Sequence, residues 1–323
     1  MSEAKGFDSK ALQRLQSFAE VVLADATRDT LLAEIHEADA LWIRLRHRID
    51  ETVLQAAPNL KVIITPTTGL NHIDLEAAKA RGIRVLSLRG EVDFLKDVRA
   101  TAELTIGLML SLLRQLPAAI DHVQTGQWNR DLFQGRELCG QTIGIVGYGR
   151  LGTLVAKYLH AFDARILASD PHLSATAYPA YVEPVSLSRL LAESAIVSMH
   201  VNLDAATTGF FGAREFQSMQ PGAWFINTAR GELIDEKALL AALRSGHLGG
   251  AALDVLCHEN AAGMHEHPLV QYAREHRHLL VTPHLGGCTA ESMAKTETFM
   301  VDKFIQAWPT VAANAQTPAL TIS

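Results

Sequence analysis

Short, β-branched apolar runs alternate with stretches of helical periodicity through the first hundred residues. VVLAD, ALWIRLR, LKVIITP and IRVLSL have the length and make-up of buried strands, whereas TRDTLLAEIHEA, DETVLQAA and DLEAAKARG repeat apolar positions every three to four residues. Such alternation predicts a parallel sheet with helices on its faces. Asp74 stands where a helix N-cap belongs and Gly82 where a left-handed C-cap belongs, so both read as structural. After a polar loop from Arg89 to Arg99, TAELTIGLMLSLLRQLPAAIDHVQ predicts one long apolar helix. A loop from Gly126 to Gly140 leads into a second βα series: QTIGIVG, GRLGTLVAKYLHAF, ARILASD, AIVSMHV, AWFINTA, DEKALLAALRSG, GAALDVL and LLVTPH. The last helix, TAESMAKTETFMVDKFIQAW, has no strand after it and is expected to fold back on the first domain. The fold class is therefore α/β, with two doubly wound parallel-sheet domains. MSEAKGFDSK does not read as β, so the first sheet is expected to lack an opening strand.

Composition narrows the function classes. The 323 residues suit about two domains. With 29 basic and 35 acidic side chains the net charge is −6, which implies no basic surface for nucleic acid. Three cysteines, Cys139, Cys257 and Cys288, are odd in number and form no CxxC, as expected of reduced thiols. The longest apolar run, around Leu104 to Leu113, is too short to span a bilayer, and the N-terminus has no basic start before an apolar stretch. A soluble, cytoplasmic protein with no membrane partner is expected.

Gly147-Tyr-Gly149-Arg-Leu-Gly152 follows the strand pattern TIGIV and opens a helix. In that context GxGxxG is a dinucleotide fingerprint. The first glycine permits the turn, the second lets the backbone approach a pyrophosphate, and the third lets helix and strand pack closely, with helix-terminal N–H groups facing the phosphates. Asp170 ends the next strand, eighteen residues past Gly152. A carboxylate there accepts from both ribose hydroxyls and repels a 2′-phosphate, so NAD is favoured over NADP.

Three later segments, NTARGELID (227–235), ALDVLCHEN (252–260) and TPHLGG (282–287), each lie at or beyond the carboxyl end of a predicted strand. There, open α/β sheets bind their ligands. Arg230 offers a forked cation that holds a carboxylate and polarises a ketone. His284 is suited to give or take the alcohol proton. Glu259 beside it would stabilise the imidazolium and fix the ring.

With these four motifs in order, the chain resembles the D-isomer-specific 2-hydroxyacid dehydrogenase family, from about Glu20 to Trp308. The resemblance implies NAD-dependent hydride transfer to or from a small 2-hydroxy or 2-oxo acid, with Arg230, Glu259 and His284 as the catalytic set. It also implies a Rossmann NAD-binding domain, residues 101–285, inserted into a flavodoxin-like substrate domain, residues 1–100 completed by 286–323. It carries Arg150 and Leu151 to the pyrophosphate, His200 and Thr207 to the nucleotide, and Thr228, Ala229 and Asp254 to the nicotinamide side. In TTGLNHID it assigns the N–H groups of Thr68 and Gly69 to the substrate carboxylate. Asn202 and Asp204 depart from the family's HxPLT, Thr67 replaces a usual glycine, and the segment from Gly90 to Glu103 is longer than usual. Arg44 and Arg46 leave a predicted strand on one side. In the phosphoglycerate dehydrogenase branch a similar pair faces the substrate phosphate, with Lys96 nearby in sequence, so an anionic substrate such as 3-phosphoglycerate is expected. The competing reading is a pair of surface arginines bridged to neighbouring carboxylates, with a small monoacid such as glyoxylate or hydroxypyruvate as substrate.

His258, His265, His267, His276 and His278 crowd one stretch without the spacing of a zinc motif and read as solvated. Cys288 reads as packing. The long apolar helix and the Trp128 loop make a homodimer the expected assembly. From another class, an NAD(H)-binding corepressor-like regulator of the same fold would keep the same residues. Turnover of a simple 2-oxo acid distinguishes the two.

Overall fold

The computed structural model describes residues 1–259 and 263–315, with side chains as far as Val311. The chain divides into two compact units, Met1–Val98 together with the segment from Thr289 onward, and Arg99–Cys288.

In the first unit β1 (Ala40–Trp42), β2 (Val62–Ile64) and β3 (Arg84–Leu86) run parallel in the order β1-β2-β3. Parallel neighbours need crossovers, supplied by the helices Glu51–Gln55 and Leu75–Ala80, whose caps Asp50 and Asp74 accept from the N–H groups of Val53 and Ala77. Alternation along β2 sends Ile63 to one core with Val53, Leu54 and Ala78. Val62 and Ile64 face the opposite core with Leu86, Met300, Val301 and Phe304. The last three belong to the helix Ala290–Ala315, which therefore does pack on the first sheet.

Several sequence expectations need correction here. VVLAD is no strand: Val22 and Leu23 are exposed, so no buried face draws the segment into a ladder, and it makes one antiparallel bridge, Asp25 with Glu3. The opening residues form no strand, as expected, and are tied down by the N–H of Ser2, which donates to the carbonyl of Trp42. Segment 89–99 holds a short helix, Val92–Leu95, and is fastened down. Phe94 stacks on Phe299 with ring centroids 4.0 Å apart, and Lys303 donates to the carboxylate of Glu91 at 2.5 Å.

The second unit is a seven-stranded, all-parallel sheet in the order β10-β9-β8-β7-β4-β5-β6. Its strands are β4 (Thr142–Val146), β5 (Arg165–Ser169), β6 (Val182–Pro184), β7 (Ile196–Met199), β8 (Ala223–Asn227), β9 (Leu248–Leu253) and β10 (Leu279–Val281). The chain reverses direction across the sheet between β4 and β7, which makes the carboxyl ends of those two strands the topological switch point. The predicted long helix breaks in two, Ala100–Leu113 and Leu116–Gln124, with a bend of 64°. Gln115 takes the left-handed conformation (φ 51°), and Pro117, which has no N–H to continue the ladder, begins the second piece. The first piece is largely buried, whereas the second buries none of its residues. Among the described residues no single helix is long and apolar enough to cross a membrane.

Candidate active site

At the switch point the fingerprint glycines differ in what surrounds them. A side chain on Gly147, whose φ is 87°, would sit 2.8 Å from the carbonyl oxygen of His200, and one on Gly152 would sit 2.2 Å from that of Gly147. Around Gly149 there is open space instead. Turn, packing and approach are thus divided among the three as a pyrophosphate cradle requires. The helix Arg150–His160 starts here, and its first residues, Arg150 and Leu151, bring N–H groups with no intrahelical acceptor to the same point. Asp170 lies alongside: one carboxylate oxygen accepts from the N–H of Tyr148 at 2.9 Å, the other from that of His172 at 2.9 Å. Each keeps a lone pair for a further donor.

His200 follows β7 and is buried, with Nε2 2.9 Å from the hydroxyl of Ser198 and Nδ1 without a partner. Burial pushes its pKa down to about 3, so the ring is neutral. An orphaned buried nitrogen beside a glycine cradle fits a nucleotide. Thr207 has a different occupation: its hydroxyl donates to the carbonyl of Asn202 at 2.7 Å, and its N–H donates to Asp204 at 2.9 Å. The segment that departs from the family pattern is closed by its own Asp and Thr, and these N–H groups hold the Asp204 carboxyl below its ordinary range.

The three catalytic candidates stand on the loops beyond β8, β9 and β10. His284 has φ 53°, a conformation strained for a side-chain-bearing residue. Its N–H donates to the carbonyl of Asp254 at 2.9 Å. The Asp254 carboxylate, almost wholly buried, accepts from the hydroxyl of Thr282 (2.6 Å) and the N–H groups of Leu285 (2.7 Å) and Gly286 (2.8 Å). Asp254 therefore builds the turn that presents His284. Burial raises its pKa, against the pull of those donors. The His284 ring places Nδ1 2.5 Å from Oε1 of Glu259, while Nε2 has no partner among the described residues and the side chain stays 20% exposed.

Arg230 is half-buried and donates to the carbonyl of Ala229 at 2.6 Å. Burial lowers its pKa, and the carboxylates of Glu259 and Glu232 draw it back up. Gly231 is obligatory in this turn, since a side chain there would lie 2.1 Å from the backbone of Leu256. Thr228, also buried, meets the hydroxyl of Thr105 at 2.9 Å. Because Thr105 gives its proton to the carbonyl of Thr101, it must accept from Thr228. Neither Thr105 nor Asn227, the buried last residue of β8, was singled out from the sequence. The available signal was a polar side chain inside an otherwise apolar element.

In the first unit the loop of Thr68 and Gly69 is clasped by Thr67, whose hydroxyl donates to the carbonyl of Gly69 at 2.9 Å and lies 3.0 Å from that of Thr65. Arg44 and Arg46 do not form a pair. β1 ends at Trp42, so strand alternation no longer governs them. Arg44 turns inward to the buried carboxylate of Glu297, to the carbonyl of Lys5 at 2.9 Å and over the ring of Phe7, whereas exposed Arg46 binds Asp25. Lys96 is held by Asp93 at the surface. Both arginines are thus engaged by carboxylates of their own unit, the arrangement that the competing reading of the sequence expects.

Among the described residues no group of His, Cys, Asp and Glu could hold a metal. Of the crowded histidines, His267 contacts Glu236 at 3.2 Å, His276 stacks on Tyr272 and His278 meets the Tyr272 hydroxyl at 3.0 Å. Cys257 is pushed up to about 12 by burial and by Glu236, and is a thiol.

Residues 106–286 match the family profile described as D-isomer specific 2-hydroxyacid dehydrogenase, NAD binding domain. The chain is 38% identical over 272 residues to D-3-phosphoglycerate dehydrogenase of Mycobacterium tuberculosis, covering 84% of this chain and 49% of that one. It thus spans about half the length of the phosphoglycerate dehydrogenases it matches. To hydroxypyruvate reductase of Thermotoga maritima it is 33% identical, covering 93% of this chain and 95% of the relative. The crystal structure of Aquifex aeolicus D-lactate dehydrogenase with NAD and lactic acid superposes with a TM-score of 0.80 at 25% identity, covering 96% and 94%.

Proposed function

Because the chain belongs to the D-isomer-specific 2-hydroxyacid dehydrogenase family, we propose that it interconverts a small, monocarboxylic D-2-hydroxy acid and its 2-oxo acid with NAD(H). The observation that carries the chemistry is the His284 ring. Its Nδ1 is tied to Glu259 and its Nε2 has no partner among the described residues, so one nitrogen is anchored and the other is available to a substrate oxygen. In reduction, Nε2–H delivers the proton to the developing alkoxide. In oxidation, neutral Nε2 takes the hydroxyl proton while Glu259 stabilises the imidazolium. Arg230, desolvated and hydrogen-bonded among the described residues to a neutral carbonyl, holds the substrate carboxylate. Bound NAD supplies or accepts the hydride. The open space at Gly149 would admit its pyrophosphate, Asp170 would receive its ribose hydroxyls, and the unpartnered Nδ1 of His200 would be available to it.

The choice of a monoacid rests on Arg44 and Arg46, which are engaged by Glu297 and Asp25. A homodimer is supported by the exposed apolar side chains of Leu116, Ile120, Val123, Trp128 and Leu132. Such a patch on one segment is the usual mark of an association surface. The test is an NADH-oxidation screen over glyoxylate, hydroxypyruvate, pyruvate and phosphohydroxypyruvate, repeated with NADPH, on enzyme whose mass is measured by sedimentation. Glyoxylate or hydroxypyruvate should give the highest kcat/KM, and NADH should outperform NADPH. Preference for phosphohydroxypyruvate would overturn the assignment of the arginines, and absence of any turnover would favour a regulatory module.

A further inference from the structure

The turn that carries Arg230 is shaped by a side chain outside the catalytic set. Asn227 ends β8 and is wholly buried. Its Oδ1 accepts from the N–H of Ala229 at 3.0 Å, and its Nδ2 donates to the carbonyl of Arg230 at 2.9 Å. The carboxamide therefore grips the outgoing chain twice, once through a donor and once through an acceptor. Aspartate would offer two acceptors and leucine neither, so an amide of this length is what the site demands. The main chain of the same residue reaches further. The carbonyl of Asn227 accepts from the N–H of Asp254 at 2.9 Å, and the carbonyl of Asp254 accepts from the N–H of His284 at 2.9 Å. The loops that carry Arg230 and His284 are thus both tied to one junction between the ends of β8 and β9, where Asn227 is in register with Leu253.

We infer that Asn227 is a positioning residue: its carboxamide sets the direction in which Arg230 leaves the sheet, and with it the geometry of the contact between guanidinium and substrate carboxylate. The inference rests on the carboxylate-binding role given to Arg230. Displacing a positioned group by about an ångström costs on the order of a hundredfold in rate, and each lost hydrogen bond costs about two- to tenfold.

The test uses N227A, which removes both bonds, and N227D, which keeps the shape should the alanine variant fail to fold, each alone and combined with R230K. Three quantities are measured on the full chain: kcat and KM for the 2-oxo acid reduced fastest, the inhibition constant of oxamate, an unreactive carboxylate of similar shape, and the Kd of NADH. With Asn227 altered alone, KM and the oxamate constant should rise about tenfold. The Kd of NADH should stay within about twofold. In the R230K background the further loss should be under about threefold, because the group being positioned has already been compromised. An equal fold-loss in both backgrounds, a Kd of NADH rising in step with KM, or no change at all would assign Asn227 to the fold alone. If R230K binds oxamate as tightly as the wild type, the reading of Arg230 fails and the inference with it.

Discussion

Arg44 and Arg230 are both partly withdrawn from solvent just past the carboxyl end of a parallel strand, and their surroundings treat the charge in opposite ways. Arg44 meets a buried carboxylate, a carbonyl and an aromatic face, all within its own unit. Arg230 meets a carbonyl, and Glu259 and Glu232 act on it only through space. A guanidinium neutralised at contact has its field cancelled locally. One held by a neutral carbonyl keeps a field that an incoming anion can satisfy. The contrast separates a cation that joins parts of the fold from one that, on the function proposed above, receives a ligand, though both look alike in the sequence.

The contrast breaks most visibly in stability. Arg44→Met leaves Glu297 buried without its countercharge, and should cost about 3–5 kcal/mol in urea unfolding. The ranking of substrates should not change. Adding Glu297→Leu should recover much of the loss, since an apolar pair of similar volume replaces two charges. A variant of Arg44 that folds normally but changes substrate preference would erase the distinction. For Arg230 the effect moves to activity: Arg230→Gln should lower kcat/KM by roughly a hundredfold or more. Its melting temperature should change little, because no ion pair at contact is lost. A large fall in stability with modest loss of activity would reverse the assignments.

His200 sharpens the comparison as a buried base that sheds its charge altogether. Its pKa falls from 6.5 to about 3 on folding. The unfolded chain therefore binds a proton as pH drops below 6.5 while the folded chain does not. The stabilisation is whole above pH 6.5 and is lost progressively as pH falls through that window toward 3. From this group, unfolding at pH 4.5 should show on the order of 2 kcal/mol less stability than at pH 6.5. His200→Gln should remove that part of the pH dependence, and equal slopes for variant and wild type would show that other groups dominate it.

The strands of the second unit were legible because parallel strands buried on both faces read as unbroken apolar runs, and TIGIV and AWFIN are such runs. β6 was not, since Glu183 and Pro184 interrupt the pattern in a three-residue edge strand. The contact of Glu259 with His284 and the place of Arg230 beyond β8 were legible because each candidate role admits few residue types and each residue follows a readable strand. The fate of Arg44 was hidden, because its partner Glu297 lies 253 residues further along the chain. The hinge in the long helix was marked by Pro117, but the apolar run on both sides outweighed it. The second half of that run covers no core at all.

Asp170 serves two masters, and protein engineers would meet this first. Its carboxylate is the natural point of attack for anyone wishing to make the enzyme accept a phosphorylated ribose. Yet one of its oxygens receives the N–H of Tyr148, the peptide between the first two fingerprint glycines. Exchanging it for a small neutral residue would open the phosphate's path and, in the same step, release the loop that must cradle the pyrophosphate. Selectivity and affinity for the dinucleotide are thus linked through a single side chain. A useful replacement must carry an acceptor to that one peptide while giving up the negative charge.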